Sequence, residues 1–306
     1  MRFINLSSRK TSTKNQYSLL VHRPKSKLEN FRGVVKRKTW IFAALLIIPT
    51  MSLFAAFDVE PGNTRSLSLG GCICADPDPI AAALGNPAGL SSIRSLTTEM
   101  GYQQLYNLPE LSLAKFVLVH PLAGGGIGMN LRSFGNDIYR EIEAEISYGA
   151  SLGTLASLGA TVGYYWLSIQ DYGSDGDVSL SIGIQAKPLP NLIWGMWGRN
   201  LIEGHIGESS DPLPQETVTG VSYKIGQNLF TLFDISKEPR YPETYKFGIE
   251  AFLSSYLVAR VGMQHQPDRA GLGFGVIWNA WQIDYGAATH MELGWTHSIS
   301  LRWGTK

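Results

Sequence analysis

The sequence has little charge and little cysteine. Charged residues make up 17% of the 306 positions, whereas roughly 25% is usual in soluble proteins, so part of the folded surface is expected to face something other than water. The only cysteines are Cys72 and Cys74. They are too few for a disulfide framework, and without a second pair they do not form a structural zinc site.

Long hydrophobic runs are also scarce. The only one covers residues 40–56; it follows the basic stretch Lys36–Lys38 and is interrupted by Pro49. This arrangement is typical of a secretory signal peptide and predicts cleavage near Ala55 or Ala56. A transmembrane anchor is the alternative interpretation, because the run is close to the lower length limit of about 17 residues.

The start of the chain is therefore divided into two predicted segments. Residues 36–56 form the signal peptide, and residues 1–35 form an extension that results from a start codon assigned too early. Removing both takes away eleven of the 26 basic residues and one of the 25 acidic residues, which leaves a net charge of −9. Nucleic-acid binding is disfavoured, because it requires clustered positive charge.

From about residue 95 onward, apolar and polar residues alternate with the period of two that is typical of β-strands. In Val178–Lys187, aliphatic residues and alanine occupy one face, and Ser, Gly, Gln and Lys occupy the other. The polar face is small and rich in Gly and Ser along most segments. This composition suits a narrow lumen better than the solvent-exposed face of a soluble sandwich.

About fourteen such segments follow one another, an even number, as a closed up-and-down barrel requires. They begin near residues 96, 111, 126, 140, 157, 177, 190, 216, 228, 244, 256, 270, 280 and 294. Hairpin turns are predicted at Asp175–Asp177 and Asn279–Ala280. The predicted fold class is all-β: a closed antiparallel transmembrane β-barrel in residues 95–306, located in the outer membrane.

Residues 57–94 precede the strands and are predicted to be a non-strand hatch or plug. This segment contains Pro61, Pro77, Pro79 and Pro87 and an alanine-rich piece. Its Asp and Asn side chains, together with the prolines, are expected to fix turns through bonds to the backbone.

Several stretches resemble a known family. The stretch from Gly70–Gly71 through Ala75–Asp76 to Asn86–Leu90 resembles the N-terminal hatch signature of the FadL-like outer-membrane proteins. His120–Gly128, Asn200–Leu201, Ile283–Tyr285, Leu293–Gly294, Thr296–His297 and Ser300–Leu301 resemble the shorter PorV/PorQ-type branch. The resemblance implies a hatch or gate formed by Gly70, Gly71, Asp76, Asn86, Pro87, Ala88 and Gly89.

The same resemblance implies two roles, and the sequence leaves both open. FadL-like members admit hydrophobic small molecules past the hatch, whereas PorV-like members dock or carry exported proteins in type IX secretion. A soluble all-β binding protein of the periplasm is a third alternative. The expected partners are outer-membrane lipid, the barrel-assembly machinery and either hydrophobic small molecules or secreted proteins, but not nucleic acid.

Three carboxylates, Glu141, Glu143 and Glu145, alternate with apolar residues and share one strand face. A turn near Asn136 and Asp137 would place Arg132 opposite Glu141 and Asn130 opposite Glu143. The cluster is interpreted either as a polar constriction that guides a ligand or as a solvated face near a strand end.

A second polar set is spread over the later strands and is interpreted as an internal ion-pair network that braces the barrel. It consists of Asp234, Glu250, Arg260, Asp284 and Arg302.

Signals for enzymatic chemistry are poor. The six histidines are scattered and lack the i, i+4 spacing of a helical zinc site, and no Gly-x-Ser-x-Gly elbow is present. Gly124, Gly126 and Gly128 lack the strand-to-helix context of a dinucleotide loop. The sequence therefore predicts no enzyme, no cofactor and no metal site.

Overall fold

The computed structural model describes residues 56–57, 62–202, 204–206 and 211–304. The predicted extension and almost all of the predicted signal peptide lie outside these ranges. Within the described ranges, no helix is both long enough and apolar enough to cross a bilayer.

The segment before the barrel contains three short helical elements. They are α1 (Thr64–Ser68), α2 (Pro79–Leu84) and a 3-10 helix (Pro87–Ser92). Each begins at an Asn or Asp whose side chain accepts backbone N–H groups of the first turn, which satisfies donors that a helix end leaves unpaired. Proline at the first position of the last two elements fixes φ at a helical value.

Sixteen strands follow within the described residues. They are β1 (Thr97–Gln104), β2 (Ser112–Leu122), β3 (Gly125–Gly135), β4 (Tyr139–Leu152), β5 (Ala156–Ile169), β6 (Gly173–Leu189), β7 (Leu192–Arg199), β8 (His205–Ile206), β9 (Asp211–Pro212), β10 (Glu216–Ile225), β11 (Leu229–Lys237), β12 (Thr244–Phe252), β13 (Leu257–His265), β14 (Arg269–Trp278), β15 (Trp281–His290) and β16 (Gly294–Gly304). Two further 3-10 turns, Leu105–Asn107 and Pro109–Leu111, connect β1 to β2.

Fourteen of these strands form one closed antiparallel barrel, and β8 and β9 form a separate two-stranded ribbon. Consecutive barrel strands pair with each other, β7 pairs with β10, and β1 pairs with β16 from Thr97 opposite Gly304 to Gln104 opposite His297. The prediction of a closed antiparallel barrel of about 14 strands is confirmed.

The two faces of the barrel wall differ in composition. In β6, Val178 and Ile182 are exposed on the outside, whereas Ser179 and Ser181 are buried inside. The same division recurs in β13, where Val261 is exposed and Arg260 is buried. The predicted alternation therefore separates an apolar exterior from a polar interior.

The connections at the two ends of the barrel differ in length. Short turns lie at the end that carries both barrel termini; Trp278 and Trp281 pair directly, so that Asn279–Ala280 forms the turn as predicted. The opposite end carries the longer connections, including residues 200–215 with the ribbon β8–β9. In outer-membrane barrels the short turns face the periplasm and the longer loops face outward.

The turn predicted at Asp175–Asp177 is wrong. These residues lie inside β6, and the chain reverses between Ile169 and Gly173. Asp171 and Gly173 take positive φ values of 65° and 100° there, a conformation that Gly adopts freely and Asp tolerates. Strands β5 and β6 are thus longer than their apolar alternation indicates.

Candidate functional site

The segment of residues 62–94, called the hatch below, lies inside the barrel and packs closely against inward-facing glycines of the wall. A Cβ atom at Gly159 would lie 2.3 Å from the carbonyl carbon of Pro87, and one at Gly262 would lie 2.2 Å from the backbone nitrogen of Gly70. Further wall glycines in such contact are Gly126, Gly128, Gly149, Gly183, Gly195, Gly248, Gly271, Gly273 and Gly286. The wall therefore accommodates the hatch by omitting side chains.

The motif Asn86–Gly89 attaches the end of the hatch to the wall. The Asn86 amide donates hydrogen bonds to the carbonyl groups of Cys74, at 3.0 Å, and of Ile184, at 3.0 Å. Its Oδ1 accepts the backbone N–H of Ala88 at 3.1 Å. Asn86 is fully buried, so one side chain joins the hatch to β6 and closes the 3-10 turn.

Near the start of the hatch, Arg65 forms the main ionic contact. Its Nε lies 2.8 Å from Oε2 of Glu250 on β12, and its Nη1 pairs with Asp76. Glu250 is shared with Arg260, at 2.6 Å, which in turn reaches Asp284, at 2.5 Å. The predicted bracing residues Glu250, Arg260 and Asp284 therefore lie together, and Arg65 links them to the hatch.

A second ionic contact involves Arg302 of β16. Its guanidinium lies 2.6 Å from Asp78 of the hatch and 2.8 Å from Glu99 of β1. Glu99 also accepts a hydrogen bond from Asn63 at 2.8 Å. Arg302 thus joins the first barrel strand, the last barrel strand and the hatch.

Charges of the hatch are stabilised by these partners. Burial alone would lower the pKa of Arg65, but Asp76 and Glu250 raise it well above its ordinary value. Burial would raise the pKa of Asp78, but Arg302 and Arg65 lower it below the ordinary value of an aspartate. Both residues therefore remain charged inside the barrel.

The two cysteines lie in the middle of the hatch and are buried and free. Burial raises the pKa of both thiols well above the ordinary value, which keeps them protonated and poorly nucleophilic. Beside them, Asp234 of β11 accepts the backbone N–H groups of Ile73, at 2.7 Å, and Cys74, at 2.9 Å. Asp234 is thus a backbone anchor for the hatch.

The carboxylates of β4 line the opposite side of the lumen. Glu143 pairs with Arg132 at 2.9 Å, and Glu145 accepts hydrogen bonds from Asn130, at 2.9 Å, and Tyr165, at 2.8 Å. Glu141 and Glu143 are only 4% and 3% exposed. The interpretation of the set as a solvated face is therefore wrong, because these side chains point into the closed interior.

The predicted pairing across this hairpin is wrong by two residues. Arg132 lies opposite Glu143 and Asn130 opposite Glu145. The turn is centred one residue later than predicted, because Asn136 accepts the backbone N–H groups of Ile138 and Tyr139 and so begins the turn itself.

A small polar cavity separates the hatch from this part of the wall. It is lined by Leu84 and Gly85 of the hatch and by Arg132, Glu143 and Arg199 among the wall residues. The cavity has room for water but not for a larger molecule.

Structures of similar architecture are known. They include the CymD monoaromatic hydrocarbon channel, which is 14% identical with a TM-score of 0.61 and coverage of 81% of this chain and 98% of that chain. The Pseudomonas putida toluene transporter TodX is 11% identical, with a TM-score of 0.59 and coverage of 82% and 98%. A Pseudomonas aeruginosa FadL homologue is also 11% identical, with a TM-score of 0.59 and coverage of 80% and 98%.

The chain has the fold of the FadL-family channels. At this level of identity the likeness concerns the fold. No protein-family model matches the sequence, and no curated protein is significantly similar to it.

Within the barrel, the predicted hatch residues lie in the hatch and the predicted lumen residues lie on the inner wall. Gly70 and Gly71 take positive φ values of 67° and 84° after α1, which allows the chain to turn against the backbone of Met263. Gly89 packs against Ala82 and Gln185.

Sequence reasoning missed several partners of the hatch and of the lumen residues, namely Arg65, Glu99, Lys115, Tyr165 and Arg199. Arg65 and Asp78 are isolated charged residues within the non-strand segment of a chain with little charge. This isolation was the signal by which their role could have been predicted. Lys115 donates a hydrogen bond to the carbonyl of Gly62 in the hatch. Among the described residues, no group of three or more potential ligand side chains is placed to hold a metal ion.

Proposed function

We propose that the protein is an outer-membrane channel for hydrophobic small molecules, in which the hatch is the gate. The observation that carries this proposal is the enclosed hatch, which fills the lumen and is attached to the wall through a limited set of ionic and close backbone contacts. Monoaromatic hydrocarbons, the compounds named for the CymD channel, are the class of substrate we expect.

The exterior supports a location in the membrane. Large apolar side chains such as Val162, Leu272, Phe274 and Ile299 are about half exposed on the outside of the barrel. In water such a surface would be strongly unfavourable, whereas acyl chains cover it without cost. Export through the predicted signal peptide and insertion by the barrel-assembly machinery belong to the same proposal.

The interior offers apolar surface to a substrate once the hatch moves. Val117 and Val119 of β2, Trp197 of β7 and Val218 of β10 are buried against apolar hatch residues, including Ile80 and Leu84. Displacement of the hatch would expose this wall patch to the lumen. A hydrocarbon could then replace the hatch side chains and recover the same hydrophobic free energy.

Uptake of radiolabelled toluene tests the proposal. Bacterial cells that express the protein in the outer membrane are expected to take up toluene with a higher initial rate than cells with an empty vector. Gly159→Ala, which forces the hatch away from the wall, should raise the rate further, and Gly101→Ala, which meets only ordinary contacts, should not. Equal rates in all four strains would contradict a channel function.

A second candidate is a PorV/PorQ-type docking or carrier component of type IX secretion. The resemblance of His120–Gly128 and of the final strand to that branch supports it, and so does the small size of the polar cavity beside the hatch, since docking requires no pore. Affinity purification from the native envelope separates the two candidates. Recovery of secretion components would favour docking, whereas recovery of the barrel with lipid alone would favour the channel.

A further inference from the structure

Phe57 occupies a closed site at the wall of the lumen. Its side chain is fully buried, and its ring lies 5.1 Å from that of Tyr165. Ile206 and Leu213, from the long connection between β7 and β10, complete this apolar site. Phe57 is therefore buried like a core residue, although it directly follows the predicted signal peptide.

The backbone nitrogen of Phe57 points to a carboxylate. It donates a hydrogen bond to Oε1 of Glu141 at 2.9 Å, and the hydroxyl of Tyr139 donates to the same oxygen at 2.5 Å. Glu141 is 4% exposed. One neutral backbone N–H and one phenol thus face a carboxylate that water hardly reaches.

Glu141 differs from the neighbouring Glu143 in having no cation within ion-pair distance. Glu143 pairs with Arg132 at 2.9 Å and lies 3.8 Å from Arg199. Within the described ranges, no basic side chain forms an ion pair with Glu141. A buried charge without a counter-ion is costly, because desolvation is not compensated, and a positive charge at the Phe57 nitrogen would remove this deficit.

The backbone of Phe57 also suits a chain end. Its φ is 67°, which is unfavourable for an L-residue with a side chain. The angle φ is defined by the carbonyl carbon of the preceding residue, Ala56. Hydrolysis of the Ala56–Phe57 bond would therefore abolish this restriction.

We propose that the Ala56–Phe57 bond is the cleavage site of the export leader and that Glu141 binds the resulting α-ammonium group of Phe57 inside the barrel. In the cleavage, water adds across the peptide bond under the action of a signal peptidase; Ala56 receives the new carboxylate and Phe57 the new ammonium. This inference depends on the predicted signal peptide and is independent of the transported substrate. The acceptor of this hydrogen bond is already a carboxylate, so the ammonium makes both partners charged and gives Glu141 the counter-ion that it otherwise lacks.

Mapping the N-terminus of the purified membrane protein tests the cleavage site. Intact mass and sequencing of the N-terminal peptide are expected to give Phe57 as the first residue. Any other first residue, including Ala56, would overturn the proposal, because the charge would then lie at a different atom.

Acylation of the α-amine tests the role of Glu141. The folded barrel in detergent is treated at neutral pH with an amine-reactive acetylating reagent, and the modified fraction of the N-terminal peptide is measured after unfolding and digestion. Glu141→Gln is expected to raise the rate of modification on the order of tenfold, because the ammonium loses its charged partner. Glu145→Gln is the matched control, since Glu145 bonds to Asn130 and Tyr165, and should leave the rate unchanged.

Folding is monitored separately by the heat-dependent migration of the barrel in gels. Folded Glu141→Gln protein with the slow wild-type rate would overturn the role of Glu141, even if Phe57 is the first residue. Equal acceleration in folded Glu145→Gln would overturn it as well, because protection would then reflect general packing. Glu141→Asp keeps the charge and is expected to restore part of the protection.

Discussion

Both halves of the hatch pack against wall glycines, but only the first half is also attached to the wall by ion pairs. The first half, residues 62–78, carries charged side chains that pair with the wall, as Arg65 does with Glu250 and Asp78 with Arg302. The second half, residues 79–94, has no such ion pair among the described residues and packs its apolar helices and backbone against wall strands β2–β6. The same segment thus combines an ionic attachment with a steric one.

Because of this difference, we expect the two halves to be sensitive to different substitutions. A buried ion pair is sensitive to removal of one partner, because the other charge is then left unpaired. Close packing is sensitive to added volume, since a filled interior has no space to accept it. Both cysteines lie in the first half but pack against different parts of the hatch: Cys72 packs beside Leu69, whereas Cys74 packs in the cluster that contains Ile80 and Leu90 of the second half.

The largest effect is expected from Arg65→Met in the first half. It removes the cation of Asp76, leaves Glu250 with Arg260 alone, and should destabilise the seated hatch by about 3–5 kcal/mol. In a Cys74→Ala background, maleimide labelling of Cys72 should become much faster than in the parent, because a displaced thiol regains its ordinary reactivity.

The control for this change is the Cys72→Ala background, in which Cys74 should respond less to Arg65→Met. Equal acceleration at both cysteines would show that the hatch leaves the wall as one unit. That outcome would contradict the division into an ionic and a steric half.

An intermediate effect is expected from Gly159→Ala in the second half. The new methyl group would lie 2.3 Å from backbone atoms of Pro87, and such overpacking costs about 1–3 kcal/mol. Labelling of Cys74 should then increase more than labelling of Cys72. Gly101→Ala is the matched control on the inner wall, because its methyl group would meet its nearest neighbour at 3.6 Å; a similar increase in that variant would exclude a steric cause.

The smallest effect is expected from Arg140→Ala. Arg140 and Asp137 form an ion pair at 2.7 Å, but their side chains are 45% and 98% exposed, and exposed pairs contribute about 0–1 kcal/mol. The temperature at which the barrel loses its folded gel mobility should remain close to the wild-type value. A decrease in that temperature as large as the one caused by Arg65→Met would show that burial does not determine how much an ion pair contributes to the stability of this barrel.

Much of the barrel was predictable from the sequence, because each strand must present one face to apolar surroundings and one to the lumen. The period-two pattern therefore located the strands to within a few residues. Turn positions were less predictable: at Asp175–Asp177 polar residues lie within a strand that extends beyond the apolar alternation. At Asn136, a side-chain bond moved the turn and shifted the pairing of Arg132.

The site was predictable in part. The hatch motif around Asn86 and the inward carboxylates were visible as patterns, but the partners of the hatch were not. Arg65 lies in a five-residue helix without periodicity, so nothing local indicates which of 14 strands it meets. Contacts between distant parts of a chain depend on packing in three dimensions, which one sequence does not specify.

Strand β16 is the hydrogen-bonding neighbour of both β1 and β15. A chain that ends before residue 294 would therefore have two unpaired sheet edges instead of none, and such edges are templates for aggregation. Premature termination near the 3′ end of the reading frame thus yields a product that is nearly full length yet unable to close, and envelope proteases can recognise it by those two exposed edges.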